Sequence, residues 1–358
     1  MSRPDAPCPQ RRSLLTSGLG WGAAATLLGG LSWLPATGAV RPSADRSVVL
    51  GVPAGAFMSH LPLLLAHELG YFRAEGLLLN WLPLESEAAG SAALSRGEVQ
   101  MLVCDFAHTL ADSAQGADIK AFVAPSRTPQ MVFGVSPRTM AAYRQFTDLR
   151  GRRVATVLPS AGSQLLIHRL MQDAGVTETE LAVVNLGQPQ AVVEQVRRGS
   201  MDALCVDHAM VAALEHRGEV RVVADTRTLK GANEVFGGPM PGAVVCAKSA
   251  FIQKEPETCQ AVAAAVVRAL KWLRTAGPSD LVRALSSVNL DVDLVNYVAA
   301  LEKSRDGFMG DGVLPDAAAA TALAALARKD ARLTLPRRQL SATYTNDFAL
   351  KAKARFRV

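Results

Sequence analysis

The sequence lacks a long apolar run after residue 39 and lacks a strong excess of charge. No later stretch holds the ~18 apolar residues that a membrane-spanning helix needs. The 358 residues carry a formal charge of +6, and 35 basic and 31 acidic residues, a net +4, remain without the first 39. Nucleic-acid binding would call for a clustered basic surface. We therefore expect no nucleic-acid partner.

Closely spaced cysteine pairs are also missing. None of the five cysteines forms a CxxC pair, so the usual zinc and dithiol motifs are not indicated. Four cysteines follow residue 39: Cys104, Cys205, Cys246 and Cys259. The first three end short apolar runs, which is typical of buried strand residues. One disulfide remains an alternative if the compartment is oxidising.

The first 39 residues have the pattern of a secretory signal. A basic start is followed by an apolar, glycine-broken run and by small residues. The pair Arg11–Arg12 before SLL resembles the twin-arginine signals of bacterial export. Thr37 and Ala39 predict cleavage after Ala39, and an uncleaved N-terminal anchor is the alternative. We expect the protein to be periplasmic.

From residue 47 onward, short β-rich runs alternate with helical stretches. This alternation predicts mostly parallel sheets covered by helices. The pattern occurs twice, because SRGEVQMLVCDFAH and RRGSMDALCVDHAM are similar in order and spacing. Cys104, Asp105 and His108 then correspond to Cys205, Asp207 and His208. PGAVVCAKSAF predicts a strand that returns to the first unit. We expect two α/β units and a cleft at the carboxyl ends of their strands, where open sheets bind ligands.

Several stretches, spread over nearly the whole expected mature chain, resemble one class of proteins. The class is the substrate-binding proteins of nitrate, sulfonate and taurine importers of the ABC type, which also includes thiamine-precursor binders. The stretches are LPLLLAHELGYFRAEGLLLNW (61–81), ALSRGEVQMLVCD (93–105), FTDLRGRRVATVLPSAGSQLLIHRLMQDAG (146–175), RRGSMDALCVD (197–207), KEPETCQAVAAAVVRALKWL (254–273) and TYTNDFA (343–349).

The resemblance implies a two-lobed type II periplasmic-binding-protein fold, an α/β fold with a mostly parallel sheet in each lobe and a ligand cleft between the lobes. The expected boundaries are 1–39 for the signal, 47–128 plus 240–358 for lobe I and 129–239 for lobe II. Strands near 126–137 and 225–242 would form the hinge. The implied role is capture of a small organic anion or zwitterion (sulfonate, nitrate or taurine-like, aromatic carboxylate or pyrimidine). The ligand would pass to a permease and ATPase at the inner membrane. The resemblance further implies a monomer, no catalysis and no cofactor.

Two segments are candidate ligand contacts. In the loop AGAFMSH after the first strand, we predict contacts from Phe57, Ser59 and His60, with packing of Phe57 against its own helix as the alternative. PSAGSQ predicts a helix start capped by Ser160. There Gly162 allows close backbone approach, and Ser163 presents its hydroxyl group to an acidic head group. A plain capped helix is the alternative.

Two aspartates and three histidines complete the predicted site. Asp105 and Asp207 end strands, and each would either orient the ligand or cap its own helix. If both face the ligand, their charge favours a zwitterion or cation over a pure anion. His60, His108 and His208 fall where the cleft is expected. We expect them to form hydrogen bonds or respond to pH rather than bind metal, since none has close metal-ligand spacing.

Two other functions are alternatives. Relatives of the resembled fold include desulfinases and pyrimidine-synthesising enzymes, which need a reactive thiol or a set of histidines. A nucleophilic thiolate needs a cationic or helix N-terminal setting, and Cys104 instead precedes an aspartate. We therefore expect no enzyme. A soluble partner of a membrane sensor is the second alternative.

Overall fold

The computed structural model of the protein describes residues 46–53, 58–288, 290 and 293–358, without the side chains of residues 208, 209, 213 and 337. The predicted signal at 1–39, Phe57 and the His208 side chain lie outside this description. Within the described residues, no helix is long and apolar enough to cross a membrane.

Ten described strands form two five-stranded sheets. The strands are β1 (Arg46–Pro53), β2 (Leu77–Leu84), β3 (Met101–Asp105), β4 (Ile119–Val123), β5 (Met131–Val135), β6 (Arg152–Thr156), β7 (Leu181–Asn185), β8 (Ala203–Asp207), β9 (Arg221–Asp225) and β10 (Ala243–Lys248). The order in the first sheet is β2-β1-β3-β10-β4, and in the second it is β7-β6-β8-β5-β9. The first lobe is the part built on β1–β4 and β10, and the second lobe is the part built on β5–β9.

The two sheets have the same topology. In the first, β10 runs antiparallel to both β3 and β4, and in the second, β5 runs antiparallel to both β8 and β9. The remaining described pairings are parallel. The predicted return strand is therefore confirmed as β10, and the repeated sequence pattern corresponds to two copies of one sheet order.

Helices cover the sheets. They are α1 (Leu61–Glu68), α2 (Tyr71–Ala74), α3 (Glu87–Arg96), α4 (Phe106–Ala114), α5 (Ala161–Ala174), α6 (Pro189–Arg198), α7 (His208–His216), α8 (Leu229–Phe236), α9 (Ser249–Lys254), α10 (Pro256–Thr275), α11 (Pro278–Leu285), α12 (Leu294–Ser304), α13 (Asp316–Lys329), α14 (Arg337–Leu340) and α15 (Asp347–Phe356). Helices α1 and α2 are separated at Gly70, whose φ of 70° lies in the left-handed region.

Strand alternation divides the core of the second lobe. Along β5, Phe133 joins the large core that includes the first lobe, whereas Val132 joins a smaller core on the other face. Along β8, Cys205 belongs to the large core and Leu204 to the smaller one. Because α5 contributes Leu165, Leu166 and Ile167 to the large core, its apolar face is continuous with the first lobe. This packing places the N-terminus of α5 at the junction of the lobes.

Two crossing segments connect the sheets, one between β4 and β5 and one between β9 and β10. They are hydrogen-bonded to each other, since the N–H of Gln130 donates to the carbonyl oxygen of Thr226 at 3.2 Å and the N–H of Thr226 donates to that of Met131 at 2.9 Å. The predicted hinge strands therefore lie side by side. The domain boundaries given above remain a prediction.

Candidate functional site

A cavity of about 50 Å³ lies where the two lobes meet. Residues from both lobes line it: Pro53, Ser59, His60, Ser86, Glu87, Asp105, Pro129, Met131, Val157, Leu158, Pro159, Ser160, Cys205, Val206 and Asp207. Its wall includes the last residues of β1, β3 and β8, as expected for open parallel sheets. This volume is far below the ~300–1,000 Å³ of ordinary small-molecule pockets, so an organic ligand requires the cleft to widen.

Five of the predicted site residues line this cavity. They are Ser59, His60, Asp105, Ser160 and Asp207. Ser163 is buried and lines a second cavity, and the half-buried His108 lines a third. Ligand contacts from all the predicted residues remain predictions, but the structure does not place Gly162, Ser163 or His108 at the cavity wall.

The start of α5 is a capping box, so the predicted N-cap is confirmed. The N–H of Ser163 donates to Ser160 Oγ at 3.2 Å, and the N–H of Ser160 donates to Ser163 Oγ at 3.3 Å. The Ser163 hydroxyl group is therefore engaged inside the helix start. It is not presented to the cavity, contrary to the expectation from the sequence.

Carboxyl groups of the first lobe accept hydrogen bonds from the first two N–H groups of α5. Glu87 Oε2 accepts from the N–H of Ala161 at 2.7 Å, and Asp105 Oδ2 accepts from the N–H of Gly162 at 2.7 Å. The other oxygen of Glu87 accepts from the N–H of Asp105 at 2.6 Å. Gly162 is needed here, because a Cβ at this position would lie 2.9 Å from Asp105 Oδ2. Close backbone approach at Gly162 was expected, but its partner in the structure is a protein carboxylate.

Glu87 was not among the residues predicted from the sequence. An acidic residue in the first turn of a helix is ordinary, because it interacts favourably with the helix dipole. The Glu87 side chain is nevertheless only 7% exposed. Burial and the nearby Asp105 charge raise its pKa well above the usual range, and the two N–H bonds oppose this shift. No local sequence signal distinguishes it from a solvated acid.

The two strand-end aspartates occupy N-cap positions without capping. Neither Asp105 nor Asp207 accepts a capping hydrogen bond from its own helix. Burial raises the pKa of Asp105, while the Gly162 N–H, the His108 charge and Ser160 act in the opposite direction. The capping alternative is therefore wrong for both side chains.

The histidines differ in setting. Burial lowers the pKa of His60 to about 4, so this cavity-lining imidazole is neutral at physiological pH. His108 lies behind Glu87, with Nε2 2.8 Å from Ser91 Oγ and 3.5 Å from a carboxylate oxygen of Asp112. His108 therefore lines a cavity beside the main one, and residues of both lobes line that cavity too. Among the described residues, no group of three or more His, Cys, Asp or Glu side chains could hold a metal ion.

The four described cysteines are free and buried. Cys104 Sγ lies 3.7 Å from Cys246 Sγ and 3.4 Å from Thr109 Oγ1. The Cys246 contact and burial raise the pKa of Cys104 well above the usual range, and burial raises that of Cys205. A raised thiol pKa means little thiolate at neutral pH, so neither sulfur atom is set up as a nucleophile.

A family model described as NMT1/THI5 like matches residues 58–277. Among curated proteins, none matches the sequence. Among solved structures, a protein from Bordetella bronchiseptica RB50 is 30% identical, with a TM-score of 0.80 over 88% of this chain and 99% of that one.

Two further structures are similar in fold. The alkanesulfonate-binding protein SsuA from Xanthomonas axonopodis pv. citri, bound to MOPS, has a TM-score of 0.64 at 16% identity and covers 85% of this chain and 99% of its own. The periplasmic nitrate-binding protein NrtA from Synechocystis PCC 6803 has a TM-score of 0.67 at 14% identity. The match covers 86% of this chain and 88% of that one. These likenesses establish the periplasmic-binding-protein fold expected from the sequence.

Proposed function

The chain belongs to the NMT1/THI5-like family, and from this premise we propose that it is the solute-binding component of an ABC importer. It captures a small molecule between its lobes and delivers it to a membrane permease that works with an ATPase. The observation that carries the proposal is the cavity at the junction of two sheets of identical order, lined from both lobes. A ligand that contacts both lobes stabilises their closed arrangement through its differential affinity for that state.

The charge of the cavity wall bears on the ligand. Three carboxylates line it, from Glu87, Asp105 and Asp207, and its described lining residues include no Lys or Arg. Like charge disfavours a pure anion at such a wall. Of the ligand classes that the sequence suggested, a zwitterion or another solute with N–H or O–H donors fits best. Sulfonates and nitrate remain the first compounds to test, because the two similar binding proteins are named for them.

Binding without catalysis is part of the proposal. A reaction on this fold would need an activated nucleophile or a set of basic groups in the cavity. Cys205, which lines the cavity, has a thiol group with a raised pKa. His60, which also lines it, has a lowered pKa. The buried settings of both groups favour a binding protein over a desulfinase or a pyrimidine-synthesising enzyme.

We further propose that the protein works as a monomer in the periplasm, after export by a twin-arginine signal at residues 1–39. The similar nitrate-binding protein is named as periplasmic. The Arg11–Arg12 pair and the glycine-broken apolar run support this route.

A thermal-shift screen against sulfonates, nitrate, aromatic carboxylates, amino acids and pyrimidines tests the function. We expect at least one compound to raise the Tm, as ligand binding to the folded state must. Asp207→Asn should weaken that shift, while Glu98→Gln, an exposed carboxyl group outside the cavity, should leave it unchanged. The receptor function is contradicted if no compound raises the Tm while the protein turns over a sulfinate.

A further inference from the structure

The N-terminus of α5 is filled from inside the protein. A helix N-terminus attracts anions, because its first N–H groups lack partners within the helix and its dipole end is positive. Here the N–H groups of Ala161, Gly162 and Ser163 donate to Glu87, Asp105 and Ser160 respectively. Two of these three acceptors are carboxylates that reach across from the first lobe.

Glu87 has the more complete set of contacts of the two carboxylates. One of its oxygen atoms accepts from Ala161 in the second lobe and the other from Asp105 in the first, so the side chain connects both lobes. Glu87 also lines both the main cavity and the neighbouring one that contains His108. Its carboxylate therefore sits where the acidic head group of a ligand would meet the helix.

We propose that Glu87 determines the charge selectivity of the cleft by occupying the N-terminus of α5 with a carboxyl group of the protein itself. The proposal rests on the function proposed above and specifies the ligand class of the same site. The ligand is a small zwitterion, cation or neutral solute that presents hydrogen-bond donors to Glu87, Asp105 and Asp207. A ligand whose only charge is negative is rejected.

The surrounding charges support this selectivity. Asp105 lies beside Glu87, and Asp112 contributes further negative charge behind it. The cationic groups near Glu87 among the described residues include His108, whose Nδ1 lies 4.0 Å from Glu87 Oε2, and Lys329, which lines the neighbouring cavity with both. An incoming anion would have to displace a buried carboxylate from two N–H donors and then remain close to Asp105. A cation or an N–H donor gains from the same groups.

Ethanesulfonate, a small pure anion, is the probe for the test. Glu87→Ala frees the N–H groups of Ala161 and Asp105, so we expect ethanesulfonate to bind this variant at least about tenfold more tightly than the wild type by titration calorimetry. One charge-assisted hydrogen bond supplies a change of about this size. Asp112→Asn is the matched control, because it removes a carboxylate of the same cluster that makes no bond to α5. It should not gain this affinity.

A second substitution locates the bound anion. Proline is favoured at the first position of a helix, and the extended backbone of Ser160 (φ −124°, ψ 157°) suits a residue before proline. Ala161→Pro therefore removes one N–H group and keeps the helix start. In the double variant of Glu87→Ala and Ala161→Pro, the gained ethanesulfonate affinity should be lost again.

Circular dichroism and thermal melting establish that each variant is folded before titration. If Glu87→Ala does not fold, Glu87→Gln replaces it, because its amide can accept from only one of the two N–H donors. Equal affinity of the wild type and the folded Glu87 variant for ethanesulfonate overturns the proposal, and so does a gain that survives Ala161→Pro. Neither outcome contradicts solute binding itself, which the thermal-shift screen tests with other compounds.

Discussion

The side-chain amide group of Gln130 donates a hydrogen bond of 3.3 Å to the carbonyl oxygen of Gly307. The same carbonyl oxygen accepts from the N–H groups of Arg127, at 2.8 Å, and Thr128, at 3.2 Å. Gln130 is fully buried and has a positive φ of 55°, which is uncommon for a residue other than glycine. One carbonyl group after α12 thus holds the segment that crosses from the first sheet to the second.

Replacing Gly307 by alanine should destabilise the protein. A Cβ at Gly307 would lie 2.5 Å from the carbonyl oxygen of Arg227 and 3.0 Å from Thr128 Oγ1. Since a backbone atom cannot yield as a flexible side chain can, we expect a loss of ~1–3 kcal/mol in the free energy of unfolding. Urea denaturation measures this change.

Gly310→Ala is the matched control for this crossing segment. A Cβ at Gly310 meets no atom within 4 Å, and its φ lies outside the left-handed region. The free energy of unfolding of Gly310→Ala should stay within ~1 kcal/mol of that of the wild type. Equal effects of the two substitutions would contradict a steric role for Gly307.

The raised pKa of Glu87 has a pH signature. The folded protein binds the proton of the Glu87 carboxyl group more tightly than the unfolded chain does. The resulting contribution to the free energy of unfolding is fully present below the ordinary carboxyl pKa of ~4.3, and it is lost as the pH rises through the higher pKa of the folded state. The free energy of unfolding of the wild type should therefore fall between pH 5 and 8 relative to that of Glu87→Gln. Urea denaturation at several pH values measures the difference.

The exposed Glu98 provides the comparison for Glu87. Its hydrogen bond with Arg96 lowers its pKa, so its contribution is present above the unfolded pKa and is lost on acidification. The free energy of unfolding of Glu98→Gln should therefore change with pH in the same way as that of the wild type between pH 5 and 8. A Glu87→Gln curve that also runs parallel would show that Glu87 does not take up a proton on folding.

His60 should titrate near pH 4. Burial lowers its pKa to about 4, below the usual ~6.5. The unfolded chain takes up this proton first, so the contribution of His60 to stability is present above pH 6.5 and is lost as pH falls towards 4. Proton NMR of the imidazole ring, assigned with His60→Gln, measures the midpoint. A midpoint near 6.5 would be inconsistent with burial.

Removing the hydroxyl group of Tyr297 should not weaken the fold. Tyr297 is 1% exposed, and its hydroxyl group has no hydrogen-bond partner in the part of the chain that the structure describes. Tyr297→Phe removes an unpaired polar atom, so the free energy of unfolding should rise by about 1 kcal/mol. Thermal and urea denaturation measure it.

Tyr344→Phe is the control for Tyr297. The Tyr344 hydroxyl group donates to Asp316 at 2.6 Å. Its removal should lower the free energy of unfolding by ~1 kcal/mol. Destabilisation of both variants to the same degree would mean that the Tyr297 hydroxyl group has a partner after all.

The export signal makes a separate prediction. Exchange of Arg11 and Arg12 for lysine keeps the charge but removes the two arginines that define the twin-arginine motif. The precursor should then stay in the cytoplasm, as cell fractionation and immunoblotting would show. Arg3→Lys is the control and should be exported. Normal export of the double variant would contradict a twin-arginine route.

Sequence alone determined the features that depend on local chemistry. Apolar runs predicted strands such as β3 and β8, because a short, continuously apolar run is typical of a fully buried strand. Ser160 before AGS predicted a capped helix, since its hydroxyl group can reach the third residue of the helix start. Aspartates at strand ends predicted the edge at which the cavity lies.

Only the tertiary structure decided what those features contact. Glu87 and Ala161 are 74 residues apart in the chain and meet because two separately built sheets face each other. Whether a carboxylate in a first helical turn is solvated or buried against another helix depends on the relative placement of the lobes, which no local pattern encodes. The sequence therefore predicted an anion site at the start of α5, and in the fold a carboxyl group of the protein occupies that site.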